Sequence, residues 1–448
     1  MKSPARRPEL LCPAGSLKSL RYAYAYGADA VYAGLPRYSL RVRNNEFRKA
    51  DFVAEGIRMA REQGKSFFLA INLTPHNRKL RTFVQDIAPV LALRPDALIM
   101  ADPGLIMLVR ENWPDIPVHL SVQANAMNFA SVKFWQKLGL TRVILSRELS
   151  LDEIAEIRQE CPEMELEVFV HGALCMAHSG RCLLSGYFSN RDSNQGACTN
   201  ACRWNYSLAP ARETAEGVIM PEEKSGGAEE IAEEYQPHPM ATKPYLLQEN
   251  GRREGEWMEF FEDESGSYIM NSRDLRAVEH VRRLVEIGVD SLKIEGRTKS
   301  HYYAARTAQI YRRAIDDAVA GRSFDPRLLE ELDGLANRGY TDGFLGRHES
   351  HELQNYATGQ SRSLKQEFVA EVIAYDSATG LSTLDVKNRF ASGDRLQVLS
   401  PEETREVRLT TLLNKDGAAI AVAPGNGHVV RADLGPATPL TLVARYLA

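Results

Sequence analysis

A chain of 448 residues, 44% hydrophobic and 25% charged, is long enough for more than one folded unit and has the balance of a globular protein. No stretch approaches the run of about 20 apolar residues that a membrane span requires. The basic start MKSPARRPEL lacks the apolar core of a secretory signal, so we expect a cytoplasmic protein. The net charge of −4 argues against a uniformly basic surface, although the glutamate-rich stretch 211–235 leaves the rest of the chain slightly positive.

Eight short, nearly continuous apolar runs are typical of parallel strands that are covered on both faces. They lie at residues 8–15, 29–35, 65–72, 97–102, 118–125, 142–149, 166–172 and 291–297. Most are separated by 15 to 30 residues with helical periodicity, such as NFASVKFWQKLG. This alternation predicts an α/β fold of the (β/α)8 TIM-like barrel type, with a doubly wound open sheet as the alternative.

Two later stretches interrupt this pattern. Residues 207–268 are rich in Glu, Gly and Pro and indicate an insertion before the last barrel strand. From residue 365 onward, short β runs alternate with Gly, Asp, Asn and Pro, which is typical of a small antiparallel β-barrel. We therefore predict a barrel domain at 1–345, a linker at 346–364 and a C-terminal β module at 365–448.

Polar or charged residues follow several of the predicted strands. In a barrel, groups just past the carboxyl ends of the strands gather on one face, where active sites are built. Arg147 with Glu148, His171, and Glu295 with Arg297 are in such positions. Each of them alone is as consistent with a loop cap as with a functional group, so the indication comes from their number.

Four of the six cysteines lie between residues 171 and 204, with the spacing C-x6-C-x15-C-x3-C. They are Cys175, Cys182, Cys198 and Cys202. In a reducing compartment disulfides are a poor explanation for them. Four thiolates favour an iron–sulfur cluster or zinc, with His171 and His178 available as substitute zinc ligands, and packing or redox cysteines remain an alternative.

Several other catalytic patterns are excluded. The C-x3-C-x2-C motif of radical enzymes that use S-adenosylmethionine fails because Asn205 stands at the third position. The stretch HESHE has Glu352 where a zincin needs histidine, and no G-x-S-x-G or phosphate-binding loop is present.

The stretch EVFVHGALCMAHSGRCLLSGYFSNRDSNQGACTNACRW strongly resembles the signature of the collagenase-like peptidase family of unassigned catalytic type. The opening ELLCPAGSLKSLRYAYAYGADAVYAG, the segment SLKIEGRTKSHYYAARTAQIYRRAID and the joint NRGYTDGF are also similar to that family. The resemblance covers nearly the whole chain. It is strongest to the branch that hydroxylates tRNA uridine with prephenate.

This resemblance implies a barrel with a cysteine-ligated 4Fe–4S cluster, which forms 5-hydroxyuridine at the wobble position in the anticodon loop of tRNA. It also implies prephenate as the hydroxyl donor and cosubstrate, together with an electron-transfer partner that the sequence does not identify. Carried over by position, Cys175, Cys182, Cys198 and Cys202 are the cluster ligands, and Cys202 is the least certain because the family varies there. Two alternatives stay open, a peptidase and an iron–sulfur accessory subunit that serves hydroxylation of another RNA or a small molecule.

The remaining candidate residues follow from this chemistry. Arginine forks bind carboxylates, so Arg147, Arg297 and the weaker candidate Lys293 are assigned to the anionic donor. Glu148 and Glu295 are assigned as acid–base groups or as partners of these arginines. Residues assigned to the RNA are Arg37, Arg41 and Arg43 for phosphates, and Tyr187, Arg203 and Trp204 for the base.

Overall fold

The computed structural model describes most of the two predicted domains. The described ranges are 6–35, 37–40, 45–47, 49–174, 273–337, 339–346 and 365–447, with the backbone of five short strands between 211 and 268.

Eight parallel strands form a closed barrel, as predicted. They are β1 (Glu9–Pro13), β2 (Ala30–Gly34), β3 (Ser66–Ile71), β4 (Ala97–Met100), β5 (Val118–Leu120), β6 (Arg142–Ile144), β7 (Glu165–Ala173) and β14 (Ser291–Ile294). Each strand pairs with the next, and β14 closes the ring by pairing with both β1 and β7. Each of the eight apolar runs in the sequence supplies one strand.

Helices cover the outside of this barrel. They are α1 (Leu17–Ala25), α2 (Ala50–Glu62), α3 (Asn77–Leu91), α4 (Pro103–Asn112), α5 (Phe129–Lys137), α6 (Leu151–Glu160), α7 (Val281–Ile287), α8 (His301–Val319) and α9 (Arg327–Asp333). Local sequence sets several starts: Asp102 caps α4, and Ser150 with Glu153 forms a capping box on α6. Because each helix runs back from the end of a strand, the helix N-termini lie at the carboxyl face of the barrel.

Further strands lie between β7 and β14 along the chain. They are β8 (Ala211–Glu213), β9 (Ile219–Pro221), β10 (Tyr245–Leu247), β11 (Met258–Asp263), β12 (Gly266–Tyr268) and β13 (Asp274–Arg276). Strand β13 runs antiparallel to the end of β7 and carries the two-residue strand β15 (Tyr340–Thr341) on its other side. The barrel sheet is therefore extended by two short strands next to β7, which the apolar runs did not predict.

The second domain is antiparallel, as predicted. Its strands are β16 (Gln366–Asp376), β17 (Leu381–Val386), β18 (Phe390–Ala391), β19 (Arg395–Leu399), β20 (Thr404–Arg408), β21 (Leu412–Asn414), β22 (Val422–Ala423), β23 (Val429–Ala432) and β24 (Leu442–Tyr446). Seven of them form one sheet in the order β20-β19-β24-β16-β17-β23-β21. This domain has its own small core around Phe390, Leu396 and Val443.

The barrel interior contains a chain of ion pairs instead of a purely aliphatic filling. The Glu167 carboxylate, fully buried on β7, accepts from Lys293 Nζ on β14 at 2.8 Å and from Arg142 on β6 at 3.1 Å. Arg142 continues to Glu9 at 2.6 Å and to Glu165 at 2.8 Å. We call these five residues the ionic ladder. Its lower end lines a cavity of about 580 Å³ at the amino ends of the strands.

The two domains are joined through α1, α8 and the second sheet. The Glu371 carboxylate on β16 accepts from Lys18 Nζ at 2.6 Å and lies 2.7 Å from His301 Nε2. Tyr302 stacks on Phe368 with ring centroids 4.7 Å apart, and the Tyr26 hydroxyl donates to the Leu399 carbonyl at 2.8 Å. Burial raises the pKa of Glu371, but hydrogen bonds from His301 and Lys18 outweigh it and lower that pKa to about 2.

We predict that Glu167→Leu lowers the free energy of unfolding by about 3–5 kcal/mol, because it leaves buried Lys293 without its carboxylate. The double variant Glu167→Leu/Lys293→Leu should recover part of this loss, since no unpaired ammonium then remains on β14. Chemical denaturation followed by circular dichroism measures both. Additive losses in the double variant would show that the two side chains are not coupled.

We also predict a pH-dependent contribution from Glu371. Its pKa is lower in the folded state than its ordinary value of 4.5, so it stabilises the protein above about pH 4.5 and this stabilisation is lost as the pH falls toward 2. Glu371→Gln should therefore cost roughly 2–3 kcal/mol at pH 7 and progressively less below pH 4. Unfolding curves of both proteins at several pH values test this, and a pH-independent difference would contradict it.

Candidate functional site

Lys293 is the upper end of the ionic ladder and the floor of the candidate site. It is 3% exposed, and its ammonium lies 4.3 Å from the Tyr32 ring centroid and 5.4 Å from that of Phe169. Phe169 is the register partner of Lys293 on the neighbouring strand, so both belong to one layer of the barrel. Burial lowers the pKa of Lys293, and the charge of Glu167 opposes this. The side chain is thus a positioned cation between two aromatic rings.

Glu295 and Arg297 follow β14 and are also buried, at 8% and 7% exposure. The Tyr32 hydroxyl lies 3.0 Å from Glu295 Oε2, and the Arg297 guanidinium lies 5.6 Å from the centroid of the Tyr32 ring. Arg297 Nη1 donates to Ser39 Oγ at 2.8 Å. Tyr32 therefore has Lys293 and Arg297 against its ring and Glu295 at its hydroxyl.

Arg147 reaches the same group from the loop that follows β6. Its guanidinium lies 3.8 Å from the Phe169 ring centroid, close enough for cation–π contact. The neighbouring Glu148 carboxylate accepts from the Ser146 hydroxyl. Three cations predicted from sequence, Arg147, Lys293 and Arg297, are thus connected through the two rings of Phe169 and Tyr32.

Two glycines permit this close arrangement. A Cβ on Gly34 would lie 2.2 Å from Arg297 Nη1 and 2.6 Å from Ser39 Oγ, so a larger residue would displace the guanidinium. Gly172 has φ +108°, and a Cβ there would lie 2.4 Å from the Glu295 carbonyl oxygen. The ends of β2, β7 and β14 therefore meet closely at the carboxyl face.

His171 is a buried, neutral side chain next to the cluster of Lys293, Glu295 and Arg297, to which Tyr303 connects it. It is 1% exposed, its Nδ1 is 3.3 Å from the Tyr311 hydroxyl, and the rings of Tyr303 and Tyr340 flank it. Burial lowers its pKa to about 3, so the imidazole is neutral at physiological pH. Tyr303 in turn donates to the Glu295 carbonyl at 2.7 Å.

These contacts involve residues that the sequence did not single out. Phe169, Ser39 and Tyr303 complete the cluster, and of these only Phe169 lies in a segment that the sequence indicated, the apolar run at 166–172. Arg37, in contrast, is turned to another partner: its guanidinium pairs with Asp86 at 2.8 Å and donates to Thr82 at 3.0 Å. Its assignment to a phosphate stays a prediction.

Several predicted residues lie outside the described residues. They are Arg41, Arg43, Cys175, Cys182, Tyr187, Cys198, Cys202, Arg203 and Trp204. The described part of the barrel is interrupted after Leu174, which directly follows β7. In the described part of the chain, no group of three or more His, Cys, Asp or Glu side chains is arranged to hold a metal ion.

The two described cysteines, Cys12 and Cys161, are both buried. Cys12 lies in β1 with no exposure, and burial raises its pKa. Cys161 is 2% exposed, and its thiol lies 3.6 Å from the Phe129 carbonyl oxygen. Both behave as small core residues.

Among the helices that the structure describes, none combines the length and the apolar character of a membrane span.

The site combines buried cations, aromatic rings and carboxylates at the barrel face where βα loops meet. Such a surface suits a small anion that carries carboxylates, because guanidinium forks and an ammonium bind carboxylate oxygens directly. Glu295 lies at the Tyr32 hydroxyl, and its negative charge favours the protonated form of Lys293.

Comparison with known proteins agrees with the barrel and the second domain. Residues 15–355 match Peptidase family U32, and residues 365–443 match the Peptidase family U32 C-terminal domain. The tRNA hydroxylation protein P of Escherichia coli (strain K12) is 56% identical over 95% of this chain and 93% of its own length. The tRNA hydroxylation protein P1 of Bacillus subtilis (strain 168) is 33% identical, over 93% of this chain and 90% of its own length.

A more distant relative carries a different name. The collagenase of Porphyromonas gingivalis (strain ATCC BAA-308 / W83) is 26% identical, over 88% of this chain and 86% of its own length. Proteins named for tRNA hydroxylation and a protein named collagenase are thus both similar to this chain over most of its length. This chain belongs to Peptidase family U32.

Proposed function

We propose that this protein is an enzyme that hydroxylates tRNA, forming 5-hydroxyuridine at the wobble uridine with prephenate as the donor. The observation that carries the proposal is the likeness, over nearly the full length of both chains, to relatives named for tRNA hydroxylation. The buried cationic cluster at the barrel face supports it, because the donor is a dicarboxylate. The four clustered cysteines support it further.

The donor set fits an iron–sulfur cluster. Cys175, Cys182, Cys198 and Cys202 provide four thiolates, the usual ligands of a 4Fe–4S cluster, and the segment that carries them follows β7. When bound, such a cluster supplies the redox chemistry that side chains alone do not provide for hydroxylation of a pyrimidine ring. Zinc is the alternative occupant, since thiolates also bind it.

In this proposal the cationic cluster binds prephenate. The Arg297 guanidinium lies against the Tyr32 ring and that of Arg147 against the Phe169 ring, while Lys293 contacts both rings. Two carboxylates of one donor would thus meet separate cations. Ser39 and Glu167 hold Arg297 and Lys293 in place before the donor arrives, which lowers the ordering cost of binding. Glu295, at the Tyr32 hydroxyl, is the residue we assign to proton transfer.

The RNA base enters from a single-stranded loop, where extruding a base is relatively cheap. The described aromatic rings of the site, Tyr32 and Phe169, are buried under cations and form its walls. Contact with the base is therefore assigned to Tyr187, Trp204 and Arg203. Electron supply requires a further partner.

A peptidase is the second candidate, favoured by the likeness to the Porphyromonas gingivalis collagenase. It predicts cleavage of protein substrates by the purified chain. Loss of tRNA hydroxylation on deletion of the gene separates the two candidates.

We expect Cys175→Ala and Cys202→Ala to abolish 5-hydroxyuridine and its derivatives in tRNA when they replace the wild-type gene in a deletion strain. Mass spectrometry of tRNA nucleosides measures the modification, and iron and sulfide analysis after anaerobic purification measures the cluster. Cys161→Ala, which removes a buried thiol elsewhere, is the matched control and should retain both. Normal modification in the deletion strain would refute the proposed function.

We further expect Arg297→Gln to raise the KM for prephenate roughly 10-fold to 100-fold, because one charge-assisted, two-pronged contact is lost. Arg297→Lys should raise it less, since the charge remains without the fork. Gly34→Ala should act in the same direction with the arginine retained, because the added methyl group occupies the position of the guanidinium. Steady-state kinetics with varied donor measures all three, and unchanged KM values would remove Arg297 from the donor site.

A further inference from the structure

A basic surface that the sequence analysis did not single out lies at the start of α3. Arg78 and Arg81 are both exposed, and a spacing of three residues places them on one face of the helix. Within the described residues neither forms an ion pair. Lys79 lies between them, half-buried, with a pKa lowered by burial and by the nearby Arg37. We call Arg78, Lys79 and Arg81 the α3 basic surface.

These charges are unfavourable for the isolated helix. The first turn of α3 contains no acidic residue, and its N-cap, His76, makes no side-chain capping bond. Because the positive end of the helix dipole is at the N-terminus, cations there destabilise the helix. In contrast, α6 begins with Asp152 and Glu153. The basic residues of α3 therefore do not serve helix stability.

A series of hydrogen bonds links α3, which carries the basic surface, to the candidate site. Arg297 donates to Ser39, and the preceding residue, Tyr38, accepts from the Leu73 amide at 3.0 Å. The Tyr38 hydroxyl donates to Asp86 of α3 at 2.5 Å. Because α3 starts at the carboxyl end of β3, this surface and the cationic cluster lie at the same face of the barrel.

Arg37 takes part in the contacts between the loop after β2 and α3, and its positive charge is neutralised by Asp86. Its pairing with Asp86 and its bond to Thr82 fix the loop after β2 against α3. The exposed positive charge on α3 that no described carboxylate neutralises is therefore that of Arg78 and Arg81. A row of exposed cations beside a deeper site is typical of a surface that follows a phosphate backbone.

We propose that the α3 basic surface binds the sugar–phosphate backbone of the substrate RNA next to the base that enters the barrel. This inference rests on the proposed function and adds residues to it. Arg78 and Arg81 contact phosphates and carry no base specificity, so they contribute affinity that depends on salt.

The test uses the full-length protein and unfractionated tRNA from a strain that lacks the gene. Binding is measured at several salt concentrations for wild type, Arg78→Glu/Arg81→Glu, and the control Lys137→Glu. Lys137 is exposed in the last turn of α5, at the opposite end of the barrel. We expect the double variant to lose roughly 10-fold or more in affinity near 0.1 M salt and its salt slope to fall by about 2. The control should match wild type.

Folding is checked in the same variants. Glutamate in the first turn is favourable to the dipole, so the melting temperature of the double variant should equal or exceed that of wild type. The KM of the double variant for tRNA should rise while its KM for prephenate stays unchanged.

If wild type binds and modifies tRNA and the double variant binds equally well, this surface is not the RNA site, although the proposed function stands. If wild type neither binds nor modifies tRNA, the proposed function fails and this inference with it.

Discussion

The arrangement of the barrel depends on one buried carboxylate. Glu167 is fully buried on β7, the strand that lies between β6 and β14, and it accepts hydrogen bonds from a cation on each neighbour. A buried charge is costly unless it is paired and hydrogen-bonded. Glu167 meets this condition only if Arg142 and Lys293 are both present and in register. The same interaction therefore fixes the three strands and sets the height of Lys293 inside the barrel.

The position of Lys293 then determines the layer above it. Its ammonium needs further favourable contacts in a place that excludes water, and the electron-rich faces of Tyr32 and Phe169 provide them. Arg297 and Arg147, which follow the carboxyl ends of β14 and β6, lie against the same two rings. Gly34 and Gly172 leave room for the guanidinium of Arg297 and the backbone of Glu295. The buried charge of Lys293 and the glycines at the carboxyl face together allow these side chains to pack closely.

The sequence predicted the fold well because parallel strands covered on both faces appear as continuous apolar runs. It did not predict the ionic ladder. Glu167 sits within the apolar run LEVFVHG, and its partner Lys293 is 126 residues away in sequence, so no local periodicity links them. For the same reason no local pattern indicates the ion pair between Arg37 and Asp86, which are 49 positions apart. Phe169 was recognised as strand core, but its role between two cations depends on the register of β7 and β14.

The cysteine segment is a different case, since its chemistry is visible in the sequence and its geometry lies outside the described residues. Cys175, Cys182, Cys198 and Cys202 were grouped by spacing, and the family resemblance supplied the cluster. That assignment remains a prediction. What the structure adds is that Cys12 and Cys161 are buried among core side chains.

In the proposed reaction both ligands are anions, so the protein has to keep a dicarboxylate and a polynucleotide apart. Burial provides a means of doing so. Lys293 and Arg297 are 3% and 7% exposed, and their charges are screened little by salt and are accessible only to a molecule that enters the barrel mouth. Arg78 and Arg81 are exposed and screened, which suits many weak contacts along an extended backbone. Binding of the donor should therefore depend weakly on ionic strength, and binding of the RNA strongly, although the two sites are joined through Ser39 and Tyr38.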